Sequence, residues 1–281
     1  RSRPQNAVAS LSILDGQNVQ SVLRQSYHFD EGTETVWDGF VIRNGYDSYS
    51  GGGAYIMRGT TLRNILFTNC SIEDSWGYGA ALYMNNGVAE NCTFTNSGRE
   101  ASSMNVIKSQ HSKLINCKAT GITTCIVLSS DYDTIRRCEF SDNHLIGNIV
   151  SVNYGYVENS LFSNNSSNNT LFNFGHSTFV NCDIVGNSSR NSSNTFDGWN
   201  ITFKNSILWG NTPKTINSSR IDSMLYCAVE GGYEGEGNIY LESENVGNNE
   251  TLHYPAFVLP EDGDYMLAGF SACVDAGGAI A

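Results

Sequence analysis

The feature that most constrains the fold of this 281-residue chain is a repeat of about 23 residues. Nine segments align on one position, which we call the aligned column and which holds an apolar residue, a cysteine or a serine. The column consists of Phe40, Ile65, Cys92, Cys117, Cys138, Ser160, Cys182, Ser206 and Cys227. Because a near-constant period means that each unit packs only on its neighbours, the sequence predicts a solenoid and not several packed domains.

The pattern inside each repeat predicts which solenoid forms. Apolar side chains recur two residues apart, as in Cys92 and Phe94, which is the period of a β-strand. Another apolar residue lies three positions upstream, with an asparagine between in most copies. This spacing indicates a tight bend, because asparagine tolerates the left-handed backbone conformation. A further strand-like stretch precedes the column by about ten residues, as in 80–84. Three short strands per coil predict an all-β, three-sheet parallel β-helix of about nine or more coils.

Composition and charge agree with this fold and exclude some partners. The chain has 32 Asn and 28 Gly, which disfavour helices. No apolar run approaches the roughly 20 residues of a membrane helix, so no membrane span is expected. A net charge of −12 argues against nucleic acid as a partner. The charge is local, since residues 221–281 hold 11 acidic residues and no Lys or Arg.

The two ends differ from the regular middle of the chain. Residues 1–230 are expected to form the β-helix coils, with 1–36 as irregular initial coils. Residues 231–281 are expected to form an acidic C-terminal cap packed on the solenoid. Apart from calcium, which this acidic end could hold, no cofactor and no metal site is expected. The chain opens on Arg1 without a methionine or an apolar leader, so we expect it to be trimmed or processed.

Several short motifs resemble those of a known family. They are Gly52-Gly-Ala54, Phe140-Ser-Asp-Asn143, Phe162-Ser-Asn-Asn165, Leu208-Trp-Gly-Asn211 and Ser271-Ala-Cys-Val-Asp-Ala-Gly277. The chain is similar to right-handed parallel β-helix proteins of the pectate-lyase type, above all surface proteins of gut Bacteroidetes and chlamydial polymorphic outer-membrane proteins. The resemblance implies a right-handed coil and a secreted or cell-surface bacterial protein. It implies little about activity, because such coils serve lyases, hydrolases, adhesins and tailspikes alike.

The cysteines of the aligned column are expected to remain free thiols. Equivalent positions in a parallel β-helix stack about 4.8 Å apart, which is a poor match to disulfide geometry. We therefore expect the thiols to fill the core as small apolar groups. Cys70, Cys125 and Cys273 lie off the column, and the sequence does not pair them.

A stripe of turn residues is the strongest candidate for a binding site. Six residues before the aligned column, successive coils carry Asn86, His111, Tyr132, Tyr154, His176 and Asn200. Aromatic rings beside amides suit the C–H faces and hydroxyls of sugars. Tyr83, Lys108, Asn173 and Asp197 are expected to border the stripe. The predicted carbohydrate-binding residues are Tyr83, Lys108, His111, Tyr132, Tyr154 and His176. The alternative is a stack of turn residues that only stabilises the coils.

No catalytic signature of a polysaccharide-cleaving enzyme is found, so whether the chain is an enzyme stays open and its catalytic residues are unknown. Lys108 with His111 is the best candidate pair for a lyase base, and both also suit a solvated surface. The expected function is an exported cell-surface protein, such as an adhesin, that binds glycan or another surface without catalysis. The expected partner is a polysaccharide or a cell-surface glycan. The alternatives are a polysaccharide lyase or glycoside hydrolase acting on an acidic or complex polysaccharide, and a tailspike-like trimer. The sequence does not give the oligomeric state.

An apolar row lies beside the strand that precedes the stripe. Its members are Ala54, Ala81, Val106, Val127, Ile149 and Leu171. If the row faces outward, another element is expected to cover it. If the register is one residue off, the row faces inward.

Overall fold

The computed structural model describes residues 12–25, 34–99, 104–123, 126–145, 147–192, 194–213, 216, 218–242 and 254–278. In these residues the chain winds through three long parallel sheets, here called A, B and C. Each coil contributes a strand to sheet B, then to sheet C, then to sheet A. Eight of the described coils have a strand in all three sheets, and partial coils extend both ends of the solenoid. The predicted three-sheet parallel β-helix is confirmed. The described residues contain no helix that is long and apolar enough to cross a membrane.

The strands are short, as expected for a coil of about 23 residues. Sheet B contains Leu23–Gln25, Ala54–Ile56, Leu82–Asn85, Asn105–Gln110, Ile126–Asp131, Val150–Asn153, Phe172–Gly175 and Phe196–Trp199. Sheet C contains Thr35–Asp38, Thr60–Arg63, Val88–Glu90, Lys113–Ile115, Thr134–Arg136, Tyr156–Glu158, Thr178–Val180, Ile201–Lys204 and Ile221–Leu225. Sheet A contains Ser12–Asp15, Phe40–Arg43, Leu66–Thr68, Thr93–Thr95, Lys118–Thr120, Glu139–Ser141, Leu161–Ser163, Asp183–Val185, Ile207–Trp209, Ala228–Glu230 and Ile239–Leu241.

Smaller elements decorate the three sheets. Two-residue parallel strands form at Tyr46–Asp47 with Ser71–Ile72, and at His144–Leu145, Ser166–Ser167 and Ser188–Ser189. An antiparallel pair near the C-terminus joins Phe257–Leu259 to Asp264–Leu267. Short 3₁₀ helices cover Ser218–Arg220 and Pro260–Asp262.

The core is a ladder of like residues, because each inward position repeats in the next coil. Phe67 stacks on Phe94 with ring centroids 4.9 Å apart. The aligned column also faces inward, and its cysteines are buried and free, as predicted. Their thiols lie against backbone carbonyls, for example Cys182 Sγ at 3.3 Å from the carbonyl oxygen of Val180. Cys125 lies outside the described residues.

The asparagine before the aligned column makes the predicted bend. Asn64, Asn91, Asn116, Asn159, Asn181 and Asn205 have φ angles of 49–54°. Their side chains hydrogen-bond along the stack, with Asn116 Nδ2 donating to Asn91 Oδ1 at 2.6 Å and Asn181 Nδ2 to Asn159 Oδ1 at 3.1 Å. This exposed amide ladder joins successive coils at the corner between sheets C and A.

A second amide ladder is buried, and it explains the Phe-x-x-Asn motifs. Asn143, Asn165, Asn187 and Asn211 follow the inward residue of sheet A by three positions. Asn165 Nδ2 donates to Asn187 Oδ1 at 2.9 Å and to the carbonyl of Phe140 at 2.8 Å. The same contacts repeat in the neighbouring coils, so the ladder satisfies backbone groups at a corner where the strand hydrogen bonds stop.

The apolar row beside sheet B faces the interior. All of its members are fully buried, and Ala54 pairs with Leu82, which places it in the next row. At Gly53, which is the true member of the row in that coil, an added Cβ would lie 3.0 Å from Cys70 Sγ and 3.1 Å from the Phe67 ring. The expectation of an outward row covered by another element is therefore wrong. The predicted alignment is one residue off in the coil of Ala54. The whole row lies inside, at a corner of the core.

Opposite charges, not like charges, occupy directly paired positions of neighbouring coils. The pairs are Arg43 with Asp15 at 2.7 Å, Arg63 with Glu90 at 2.9 Å, Lys118 with Glu139 at 2.7 Å and Arg136 with Glu158 at 2.9 Å. Stacked like charges would repel one another at this spacing. The pairing of opposite charges avoids this repulsion and keeps the coils nearly neutral.

Residues 254–278, which we call the C-terminal segment, pack along the outer face of sheet A. Phe257, Tyr265, Leu267 and Cys273 contact the cluster formed by Val185, Ile207, Ala228 and Leu241. Residues 239–241 instead continue sheet A beyond the last coil. Residues 254–278 of the predicted acidic cap therefore cover a side of the solenoid. The domain boundary at residue 230 stays a prediction. Glu244 and Glu250, two of the acidic residues considered for calcium, lie outside the described residues.

Candidate functional site

The outer face of sheet B brings the predicted binding residues together. Tyr83 pairs in register with Lys108, and Lys108 with Ser129, along one outward row. The row continues through Ser151, Asn173 and Asp197. Two positions further along each strand lies a second outward row, which holds Asn85, Gln110, Asp131, Asn153 and Trp199. The predicted stripe of turn residues follows at the edge of the sheet.

The stripe is a face-to-face stack of rings. His111 and Tyr132 have centroids 4.9 Å apart, Tyr132 and Tyr154 4.7 Å, and Tyr154 and His176 4.7 Å, with planes within 11° of parallel. All six members of the stripe have φ angles of 49–57°. The same left-handed turn recurs in every coil and points each of these side chains in the same outward direction. The rings of successive coils therefore stack. Tyr132 and Tyr154 remain 54% and 51% exposed.

One end of the stack is closed by Trp199. Its indole Nε1 donates a hydrogen bond of 2.6 Å to His176 Nε2, and the two rings meet edge to face. Because the indole nitrogen can only donate, Nε2 of His176 is the acceptor of this hydrogen bond. The other ring nitrogen of His176, Nδ1, lies 3.2 Å from Asn200 Nδ2. Sequence analysis missed Trp199, although it directly precedes Asn200.

Lys108 is held in place by its neighbours in the sheet. Its ammonium group donates to the Asp131 carboxylate and, at 3.1 Å, to Ser129 Oγ. The Lys108 side chain is only 11% exposed. His111 lies in the stripe, where it stacks on Tyr132, and the outward row of Gln110 separates it from the row of Lys108. The pair therefore forms part of an ordered surface, with no free base at Lys108.

Further aromatic residues lie at the N-terminal end of the same face. Tyr55 stacks on Tyr83 at 4.8 Å, and the Arg24 guanidinium lies 4.6 Å over the other face of Tyr55. Burial raises the pKa of Tyr83, and Tyr55, Tyr78 and Tyr49 add to this effect, so the four phenols form one cluster. Alignment of Gly53-Ala-Tyr55 with Ala81-Leu-Tyr83 could have identified Tyr55.

Trp76 extends this cluster into solvent. It is 71% exposed, on a turn in which Asp74 Oδ1 accepts a hydrogen bond from the Trp76 backbone N–H at 2.9 Å. The neighbouring turn from the previous coil is fixed in the same way, with Asp47 Oδ1 accepting from Tyr49 N at 2.9 Å. These hydrogen bonds fix the backbone of the two turns that carry Tyr49 and Trp76 at one end of the face.

This arrangement determines how a ligand could contact the site. Within the stack, ring faces contact one another, so the tyrosine hydroxyls and ring edges are what the solvent meets. The amides and hydroxyls of the two rows of sheet B lie beside them. Such a surface offers a repeated set of hydrogen-bond donors and acceptors to an extended polar ligand. Trp76, at 71% exposure, offers open aromatic surface at one end of the face.

No metal site is evident in the described part of the chain, which contains no group of three or more His, Cys, Asp or Glu residues that could hold an ion. One buried carboxyl near sheet B, that of Asp133, has a structural role. It accepts hydrogen bonds from Ser130 Oγ and from the backbone N–H of Ser112, both at 2.7 Å. Burial raises the pKa of Asp133, and these donors oppose the shift.

Comparison with known protein families identifies the type of β-helix. A sequence model of the right-handed β-helix region matches residues 13–205. The chain belongs to this family. The right-handed β-helix thus covers both the stack and the rows of sheet B. No curated protein matches the chain.

One solved structure similar to this right-handed β-helix protein is that of QnrB1, a plasmid-mediated fluoroquinolone resistance protein. The match covers 70% of this chain and 91% of QnrB1, at 13% sequence identity and a TM-score of 0.29. A likeness at this level carries no argument about function.

Proposed function

We propose that this β-helix protein is exported to the bacterial cell surface and binds an extended polysaccharide along the outer face of sheet B, without cleaving it. The observation that carries the proposal is the composition of that face. It combines aromatic, amide and hydroxyl side chains in register across successive coils, with exposed Tyr132 and Tyr154 at its edge. The outer face of sheet A, by contrast, is partly covered by the C-terminal segment.

The repeat of the stack suits a linear ligand. Hydroxyl and imidazole edges recur every 4.7–4.9 Å from His111 to His176. A polysaccharide chain laid along the helix axis meets a similar set of groups at each coil, so many weak hydrogen bonds add up without a deep pocket. Trp76 and Tyr49 supply open aromatic surface for the C–H face of one sugar at the end of the path.

The state of Lys108 favours binding over catalysis. A lyase needs a base that can take a proton from the substrate. Here Asp131 and Ser129 occupy the ammonium group of Lys108. Lys108 and Asp131 instead fit a role as a hydrogen-bonding pair in the binding surface.

Export and bacterial origin rest on the resemblance of the repeat motifs to surface β-helix proteins. An antibody against the chain should label intact cells of the source organism. Labelling that requires permeabilised cells would contradict the export part of the proposal and leave the binding part standing.

The binding part is tested by incubating the protein with plant, host and microbial polysaccharides, with and without calcium. Affinity gel electrophoresis reports binding, and reducing ends together with the absorbance of unsaturated ends report cleavage. We expect retardation by at least one polysaccharide and no new ends. New ends would instead support the lyase or hydrolase alternative, and no retardation by any polysaccharide of the panel would contradict the proposal.

A further inference from the structure

A cavity of about 300 Å³ lies between sheet A and the C-terminal segment, on a different side of the solenoid from the polysaccharide face. The strands of sheet A form its floor, and the C-terminal segment forms its other wall. Its lining includes Asn181, Asp183, Ile207, Ile239, Leu267 and Cys273. The cavity is large enough for a small organic molecule.

The C-terminal segment is fixed over this cavity at two places. Tyr265 donates a hydrogen bond from its hydroxyl to Asn164 Oδ1 at 2.9 Å. The Gly278 backbone N–H donates to Asn205 Oδ1, and Asn205 Nδ2 donates to the Gly278 carbonyl, both at 2.9 Å. The cavity is therefore bounded by specific contacts and is not a gap left by loose packing.

Asp183 is the unexpected residue in this cavity. Its two immediate neighbours in the outward row of sheet A are apolar, with Leu161 paired on one side and Ile207 on the other. Both neighbours belong to the apolar cluster beneath the C-terminal segment. Among the described residues, no hydrogen bond or ion pair is found for the Asp183 carboxyl. Desolvation raises its pKa to about 7. A partly buried carboxyl that lines a cavity and has no partner in the described fold is a common feature of binding sites.

The chemistry of the walls selects the charge and shape of a ligand. The carboxyl needs a hydrogen-bond donor, and a positive charge would favour its ionised form. The described residues 221–242 and 254–278, some of which line the cavity, contain nine acidic residues and no Lys or Arg, so the local field also attracts cations. Ile207, Ile239 and Leu267 offer apolar surface beside the carboxyl. A metal ion is disfavoured, because Asp183 does not belong to any cluster of three metal-binding side chains among the described residues.

We propose that this cavity binds a small organic ammonium ion with a compact apolar body, whose ammonium group pairs with the Asp183 carboxylate and whose body packs on Ile207, Ile239 and Leu267. The Asn181 amide, which also lines the cavity, supplies a further acceptor at its rim. This site is separate from the polysaccharide face, so either proposal can fail without the other.

The test uses cyclohexylammonium as the probe, at pH 8, where the carboxyl is ionised. Cyclohexanol and cyclohexanecarboxylate are controls with the same ring and a different charge. Isothermal titration of the whole chain should show saturable binding of the ammonium probe in about the millimolar range, as expected for so small a ligand. Cyclohexanol should bind at least about tenfold more weakly, which is the loss of one charge-assisted hydrogen bond.

Two variants complete the test. Asp183→Asn keeps the shape and removes the charge, and it should weaken binding of the ammonium probe at least about tenfold. Leu267→Trp should fill the cavity and weaken binding of the ammonium probe and of cyclohexanol, while cyclohexanecarboxylate, which Asp183 repels, should not bind either protein. Circular dichroism checks that both variants keep the β-helix. Equal binding of the ammonium probe by wild type and Asp183→Asn, equal binding of cyclohexanol, or no saturable binding by the wild type would overturn the proposal.

Discussion

The phenol rings of Tyr132 and Tyr154 lie face to face, with centroids 4.7 Å apart and planes within 5° of parallel. The two residues occupy the same left-handed turn in successive coils, where bulky side chains are uncommon. Stacking offsets the cost of that backbone conformation. It also means that the faces of these rings are not free to meet a sugar, so their hydroxyls are the groups that a ligand can contact.

The first prediction separates the stabilising role of the stack from its hydroxyls. The double substitution Tyr132→Ala with Tyr154→Ala removes three ring contacts and should lower the free energy of unfolding by about 2–4 kcal/mol. The double substitution to Phe keeps the rings and should change it by less than about 1 kcal/mol. Urea unfolding followed by circular dichroism measures both. Equal losses for the two double variants would show that the hydroxyls, not the stacked rings, hold the turns.

A second prediction concerns the buried amide ladder. Asn165→Ala removes the buried side-chain hydrogen bonds that Asn165 makes to the Phe140 carbonyl and to the Asn143 backbone N–H. We expect a loss of about 3 kcal/mol, because buried polar groups lose their full hydrogen-bonding energy. Asn181→Gly, in the exposed ladder, is the control, because glycine keeps the left-handed turn at φ 52°, and it should cost about 1 kcal/mol, since water replaces the amide. Chemical denaturation that gives equal losses at both sites would contradict the distinction between the ladders.

The third prediction is that the thiols are free and inaccessible. Six of the described cysteines are buried, and burial raises the pKa of Cys70 to about 11 and that of Cys182 to about 12. In the native protein at pH 8, we expect a thiol reagent to modify no more than about two of the eight cysteines, since thiolates are the reactive species. Unfolding without a reductant should release the others. Fewer than about five free thiols after unfolding would show that disulfides form in the column.

A fourth prediction follows from the Asp183 carboxyl. Its pKa rises from an ordinary 3.8 to about 7 in the folded protein, so the folded state holds the proton more tightly than the unfolded state. The stability that this site contributes is complete below about pH 4, falls between about pH 4 and 7, and is constant above that range. Asp183→Asn cannot ionise, so it should not lose stability as the pH rises. At pH 8 its free energy of unfolding should exceed that of wild type by at most about 4 kcal/mol.

Urea unfolding of both proteins at pH 5 and pH 8 checks the sign. The advantage of Asp183→Asn should be larger at pH 8. A larger advantage at pH 5 would mean that the carboxylate is stabilised in the folded state and has a partner.

Much of the fold could be predicted from the sequence, because a solenoid repeats each local signal. The register of Cys92 with Cys117 and the left-handed bend at Asn91 were each visible in several copies. The inward corner at Gly53 has a physical reason: Gly53, directly before the strand Ala54–Ile56, and Ala54, its first residue, both lie in the interior. Strict alternation therefore fails at a corner.

The candidate site was predictable in its positions but not in its geometry. His111, Tyr132, Tyr154 and His176 are aligned by the repeat, and the structure places them in one stack. The sequence could not show that each ring uses its faces on its neighbours, because this depends on side-chain rotation. Nor could it show that the C-terminal segment folds back over Asp183, since the repeat ends before that segment begins.

The most direct measurement of the central claim is a titration of the tightest-binding polysaccharide of the panel with wild type, the Tyr132→Phe and Tyr154→Phe double variant, and Tyr156→Phe. Tyr156 lies on sheet C, away from the proposed face, and serves as the matched control. The account predicts that the double variant binds about tenfold more weakly, through the loss of two hydrogen bonds, while Tyr156→Phe binds like wild type. An unchanged dissociation constant in the double variant, or an equal loss in Tyr156→Phe, would contradict polysaccharide binding along sheet B.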